Sequence, residues 1–176
     1  MARVRKNAFT LVELLIVVII IGILAAVAIP QFGDSATDAK LAALDANLAT
    51  LRGSMELYYH QHGSTYPGII KTHKVSAAAA AAHGSVGEAF SMQLTQYSDA
   101  GGNTADTAAA AFPYGPYLRR GIPKNPLAVL GIADASTVNV VTDAGPIAAD
   151  GTPATGWKFS STTGMLIANN GSYDDR

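Results

Sequence analysis

The chain contains no cysteine. Disulfide staples, cysteine-held zinc, iron–sulfur clusters and thiol catalysis are thereby excluded. Charge is also scarce: 14% of the residues are charged, against about 25% in an ordinary soluble domain. The formal net charge is −1, too small for a general attraction to nucleic acid, which is not expected as a partner. Signatures of catalysis are missing as well. No GxSxG, HExxH, phosphate-binding loop or paired-acid pattern occurs. The histidines are His60, His62, His73 and His83. The first two, at i and i+2, do not share a helix face and so do not suggest a helical metal pair. No enzymatic activity is expected.

What is present is apolar. Of 176 residues, 49% are hydrophobic, which suits one domain with or without an appendage. Residues 1–8 (MARVRKNA) hold Arg3, Arg5 and Lys6 and no acid; without them nine basic side chains would face thirteen acidic ones, a net of −4. From Phe9 to Ile29 runs FTLVELLIVVIIIGILAAVAI, in which Thr10 and Glu13 are the only polar side chains. As a helix rising about 1.5 Å per residue it would cover about 31 Å, the thickness of a bilayer core. No Lys or Arg follows until Lys40. The positive-inside rule therefore places the N-terminus in the cytoplasm and the chain after Pro30 on the far side. Three readings compete. One is a Sec signal peptide cut at Ala26-Val27-Ala28. Another is a plain membrane anchor, in which Glu13 is an unexplained cost. The last is a membrane helix that uses its acid.

The stretch Ala8-Phe9-Thr10-Leu11-Val12-Glu13-Leu14-Leu15-Ile16-Val17-Val18 resembles the N-terminus of type IV prepilins and type II secretion pseudopilins. The resemblance implies cleavage between Ala8 and Phe9 by a membrane prepilin peptidase, which then methylates the new amine of Phe9. The usual residue before the cut is glycine; Ala8 departs from it, and that bears on cleavage efficiency. The resemblance further implies a homopolymeric filament assembled by an inner-membrane platform and its ATPase, from subunits that wait in membrane lipid. Glu13 would then set the register between subunits by meeting a neighbour's terminal amine. Glu13 lies one helical turn from Phe9, and pairing offsets the cost of a charge in hydrocarbon. Pro30 lacks a backbone donor and clashes with the carbonyl four residues back, so a kink is expected there. Gly22, Val27 and Ile29 weaken the same stretch. The resemblance adds local melting between Gly22 and Pro30 inside the filament.

Beyond Pro30 the pattern turns amphipathic. Leu41, Leu44, Leu48, Leu51, Met55 and Tyr58 recur at steps of three and four, which predicts a helix to Gln61 with Gly63 as its cap. Residues 63–126 are expected to be a variable loop region. It holds a turn at Tyr66-Pro67-Gly68, an alanine run at 77–82 that is helical by propensity, and a short helix near 86–98 opened by a Ser85–Glu88 capping box. Residues 112–126, with four prolines, must be irregular. Arg119, Arg120 and Lys124 are their only basic cluster, read as a solvated loop or as a contact with acids on a neighbouring subunit. In 127–176, TVNVVT (137–142), WKFS (157–160) and MLIA (165–168) read as strands, the last two as a hairpin. Trp157 and Phe159 should cover the Leu41–Tyr58 stripe.

The expected fold is α+β: one long kinked N-terminal helix, transmembrane over 9–30 and amphipathic over 31–62, with its outer half under a small C-terminal antiparallel sheet. The phrases Met55–His60 and Gly115–Pro126 place the head nearest the G-type major pseudopilins. Some of those bind calcium in C-terminal loops, where this chain has Asp134, Asp143 and Asp150. Their spacing matches no ligand pattern, so scattered surface acids are the reading, with calcium as the alternative and no other cofactor expected. The expected function is a structural subunit of a type IV pilus or a type II secretion pseudopilus. It would start in the bacterial inner membrane and end in a periplasmic or extracellular filament. The rival reading is a secreted or anchored monomeric binding domain.

Overall fold

The computed structural model describes residues 9–76 and 79–174, with side chains described outside 27–34, 74–76 and 79–80. The predicted leader, with Ala8, lies outside the described residues, as do Ala77 and Ala78. The architecture is α+β. Helix α1 spans Leu11–Gln61 and α2 spans Val86–Thr95. The strands are β1 (Thr72–Ser76), β2 (Ala79–Ala82), β3 (Tyr97–Ser98), β4 (Thr104–Ala105), β5 (Val138–Val141), β6 (Trp157–Ser160) and β7 (Leu166–Ala168). The chain divides into two compact units, one up to Lys40 and one from Leu41 onward.

The first unit is the N-terminal part of α1. The backbone stays helical through Gly22 and Pro30. Among the described residues no helix is long and apolar enough to cross a membrane. The expected span, Phe9–Ile29, ends in three residues whose side chains lie outside that description.

The second unit is built on the remainder of α1. Leu44, Leu48, Leu51, Met55 and Tyr58 are all buried, because steps of three and four return them to one face. Leu41 is only half-buried, at the margin of that stripe. The stripe shares one core with Phe90 and Leu94 of α2 and with Trp157, Phe159, Leu166 and Ala168 of the hairpin, as the alternation in WKFS requires. The indole N–H of Trp157 donates to the Pro123 carbonyl at 2.8 Å, so its polar atom is satisfied inside the core. Past Gln61 the chain turns on Gly63, whose φ is +63°. The Ser64 amide then returns to the Tyr59 carbonyl, which satisfies an orphan carbonyl of the last turn.

Four expectations need correction. The C-terminal sheet, in the order β5-β6-β7, is not wholly antiparallel: β6 and β7 form the hairpin, but β5 runs parallel to β6. The long connection from Val141 to Trp157 brings the chain back to the end at which β5 began, as a parallel pair demands. Residues 63–126 are not only loop and helix; they contribute a second sheet, β2-β1-β4-β3, with β1 and β4 parallel. The alanine run is not helical. Ala79–Ala82 pairs antiparallel with β1, Ala82 opposite Thr72, and strand pairing overrides the residue's weak intrinsic preference. Helix α2 stops at Thr95 rather than 98, since Tyr97 enters β3. Its start agrees with the sequence: Ser85 Oγ accepts from the Glu88 amide at 3.1 Å, while the Glu88 carboxylate accepts from the Gly84 amide at 2.8 Å.

Candidate functional site

The N-terminus of α1 is closed by its own side chains. Thr10 stands just before the helix, and its hydroxyl accepts from the Glu13 amide at 3.2 Å. Glu13 Oε2 in return accepts from the Thr10 amide at 2.9 Å and from the Thr10 hydroxyl at 2.8 Å. This is a reciprocal capping box. It fixes the Glu13 carboxylate against the first turn, beside Phe9, rather than leaving it to sweep the surface. Among the described residues Glu13 Oε1 accepts nothing. The Thr-x-x-Glu spacing is the sequence signature of this cap, hidden by the apolar run in which Thr10 stands as a polar exception.

Beyond this cap α1 is greasy on every side. Phe9, Leu11, Val12, Leu14 and Leu15 are exposed, and so is each large apolar side chain from Ile16 to Leu24. A surface of this kind in water is far beyond the scattered exposure of an ordinary monomer. A helix apolar all round is one that is buried, in lipid or among other helices. Of the residues singled out by sequence, Phe9 and Glu13 flank the capped end. Gly22 lies within the apolar stretch with nothing within 4 Å of where a Cβ would sit. Pro30 lies inside α1, its side chain outside the described set.

The head holds no competing constellation among the described residues, where no group of three or more His, Asp or Glu side chains could hold a metal ion. Asp134 is committed to its own turn, accepting from the Ser136 amide and hydroxyl at 3.0 and 2.7 Å, which hold its carboxyl below the usual carboxylate range. Asp150 pairs with the Lys158 ammonium at 2.8 Å. Burial opposes its ionisation, yet hydrogen bonds from Lys158, Asn139 and Asn169 outweigh that and hold its carboxyl low. Lys158 Nζ also donates to the Ala148 carbonyl at 2.9 Å. A side-chain ammonium thus supplies positive charge among these loop oxygens. Asp143 is exposed, and what it gives the loop is its main-chain carbonyl, which accepts from Ser160 Oγ.

His62, His73 and His83 are buried and hydrogen-bonded within the head. His62 stacks on Tyr58, with ring centroids 3.7 Å apart, and its Nδ1–H donates to the Tyr58 carbonyl at 2.8 Å. Its Nε2 therefore accepts from the Ser98 hydroxyl at 3.0 Å. The Lys71 amide donates to His83 Nδ1, so His83 carries its proton on Nε2, and that N–H donates to Thr104 Oγ1 at 3.0 Å. The hydroxyl in turn donates to His73 Nδ1 at 3.0 Å, and His73 Nε2–H faces Asp106 at 3.5 Å. A single run of donors knits β1, the end of β2 and β4 together, and it needs His83 neutral. Burial, helped at His83 by the neighbouring His73, pushes both His62 and His83 below the ordinary imidazole value of 6.5. A depressed folded pKa gives stability that is complete above the unfolded value of about 6.5 and is lost as pH falls through the folded value. The head should therefore unfold at a lower temperature at pH 5 than at pH 7.5, and His83→Gln should shrink that difference. Thermal unfolding at the two pH values checks this, and an unchanged difference in the variant contradicts it.

Comparisons with known proteins fall on the same segment. Residues 3–29 match the family model described as the prokaryotic N-terminal methylation motif. The chain is 48% identical over 50 residues to the type IV narrow pilus major component PilA5 of Thermus thermophilus, covering 28% of this chain and 43% of that one. It is 33% identical over 58 residues to the type II secretion system core protein G of Pseudomonas aeruginosa, covering 33% of this chain and 41% of that one. The chain thus spans less than half the length of these curated relatives. No solved structure matches it. The prepilin-type N-terminus is what this chain shares with pilins and pseudopilins.

Proposed function

We propose that the chain is a structural filament subunit, of a type IV pilus or a type II secretion pseudopilus. The observation that carries this is the exposed apolar surface of α1 from Phe9 to Leu24, interrupted only by a capped carboxylate at its start. Before assembly, lipid would cover that surface, with the basic leader in the cytoplasm and the head across the inner membrane. After assembly, the same surface of other copies would cover it. Cleavage between Ala8 and Phe9 leaves a cationic, methylated amine at Phe9. Glu13, one turn away, gives a neighbouring amine its counter-charge. A purely apolar helix can slide along its partners, whereas a mis-set copy of this one leaves a charge unpaired in a low-dielectric core. Gly22 and Pro30 supply a weak and kinked stretch that can yield as the helix is drawn from lipid into the bundle. The peptidase cuts and methylates; a platform and ATPase do the mechanical work, and this chain is the part moved.

Residues 1–8 are expected to be absent from the mature chain, with Phe9 as its first residue. Mass spectrometry of the N-terminal peptide from cells with a prepilin peptidase checks this. Deletion of the peptidase should restore a chain carrying the leader. A peptide beginning at Ile29 in the same cells would instead establish Sec processing.

A further inference from the structure

The parallel register of β5 and β6 sets Asn139 directly opposite Lys158. Val138, Trp157 and Phe159 turn to the core, so by alternation Asn139 and Lys158 share the other face of the sheet. The connection between the two strands returns over that face. Lys158 Nζ donates to the Ala148 carbonyl at 2.9 Å and to Asp150 Oδ1 at 2.8 Å. Only 14% of the Lys158 side chain and 28% of the Asp150 side chain remain exposed. Opposite Lys158 on β7, Ile167 is buried.

Asp150 joins the two facing residues. Its Oδ1 takes the Lys158 ammonium, and its Oδ2 accepts from Asn139 Nδ2 at 2.9 Å. One carboxylate therefore holds an amine and a primary amide at its two oxygens. Asn169 fixes that carboxylate: its Oδ1 accepts from the Asp150 main-chain amide at 2.8 Å, and its Nδ2 donates to Asp150 Oδ2 at 2.9 Å and to Thr155 Oγ1 at 3.0 Å. Next to it, the Ala149 amide donates to the Asp174 carboxylate at 3.1 Å. Both ends of the Asn169 amide are thus committed. The Asn139 side chain makes only its bond to Asp150 among the described residues, and its Oδ1 accepts nothing there. A nucleophile, a proton carrier and an acyl donor are therefore gathered in one partly desolvated place. Strands about 4.8 Å apart bring the Asn139 amide carbon within reach of the flexible four-carbon lysine stem.

We propose that Lys158 and Asn139 become joined by an isopeptide bond between Nζ and Cγ, with Asp150 carrying the protons. The ammonium gives one proton to Asp150 Oδ1, and the electron pair so freed on Nζ forms the Nζ–Cγ bond. The Cγ–Nδ2 bond breaks as Nδ2 takes that proton from Asp150 and leaves as ammonia. The second proton shed by Nζ passes through Asp150 to the ammonia, which departs as ammonium. One lysine ammonium and one asparagine amide thus give one secondary amide and one ammonium ion; nothing is oxidised or reduced, and Asp150 ends as the carboxylate it began as. The step runs once per chain, and escape of the ammonium makes it one-way, so a slow reaction suffices. The product ties β5 to β6 in a chain that has no cysteine for a disulfide and closes a loop of the chain as a disulfide would. It forms within a single copy, so it stands whether or not the chain assembles.

Intact-mass spectrometry of the full chain, purified from cells and then unfolded, tests this. The mass should fall one ammonia short of that calculated for its N-terminus. Trypsin should leave Lys158 uncut, and cleavage before Asp143 and Asp150 should release the segments holding Asn139 and Lys158 as one branched species. Lys158→Arg keeps a cationic donor for Asp150 but offers no amine to acylate. Asn139→Ala removes the acyl donor and leaves the pair of Lys158 with Asp150. Both variants should have their full calculated mass. An unaltered chain of full mass, cut by trypsin at Lys158, would overturn the proposal. An ammonia loss that survives in both variants would place the chemistry at another residue and overturn it as well.

Discussion

Replacing Glu13 with alanine is expected to abolish filaments while leaving membrane insertion and removal of residues 1–8 unchanged. The carboxylate has two roles that this substitution removes together. Within one copy it caps α1, through its two hydrogen bonds from Thr10. Between copies, on the filament reading proposed above, it is the counter-charge for a terminal amine. Glu13→Gln separates them, because an amide oxygen still accepts from the Thr10 amide and hydroxyl but carries no charge. If charge pairing sets the register, the glutamine variant fails as completely as alanine. If capping is what matters, glutamine assembles and alanine does not. The measurement is the amount of chain sedimenting as sheared filaments, with the mass of the membrane-bound pool reporting leader removal. Normal filament yield from Glu13→Ala would remove the role assigned to this residue.

Replacing Trp157 with alanine is expected to destabilise the head by about 3–5 kcal/mol, the usual cost of emptying a large aromatic site in a core. Trp157 is completely buried between the α1 stripe and the rest of the hairpin. Its loss would also leave the Pro123 carbonyl without the indole donor that satisfies it. Against a total stability of about 5–15 kcal/mol for a domain, such a loss is a large fraction. A fall in melting temperature of more than about 10 °C is expected. Trp157→Phe, which keeps much of the volume but not the donor, should lose less. A shift of only a degree or two in the alanine variant would show that the hairpin does not cover the helix as described.

The parts of this molecule that were legible in sequence are those whose signals are local or strictly periodic. The stripe from Leu44 to Tyr58 could be read because burial on one helix face imposes a spacing. The hairpin could be read because WKFS alternates and a turn follows it at once. The second sheet could not. Strands β3 and β4 are two residues each, too short for any alternation, and β2 is alanine, which favours helix until a partner strand supplies its hydrogen bonds. The parallel pairing of β5 with β6 depends on the path of a long loop, which composition does not encode. The Thr104 hydroxyl lies 31 residues from His73 and 21 from His83, so only the folded chain brings them together. Thr10 has the spacing to Glu13 of a capping residue, but at the edge of an apolar run hydropathy dominates the pattern and masks a hydrogen-bonding role. For the candidate site itself, Phe9 and Glu13 come from a motif that is local in sequence, and their roles in cleavage and register are part of the proposal above.

The central claim is that the apolar surface of α1 exists to be covered by other copies of itself. The most direct measurement is immunogold electron microscopy of filaments sheared from cells that make the unaltered chain together with its peptidase, platform and ATPase. Continuous labelling along fibres is the predicted result. A chain found only as dispersed particles in the membrane or periplasm, with every fibre unlabelled, would contradict it.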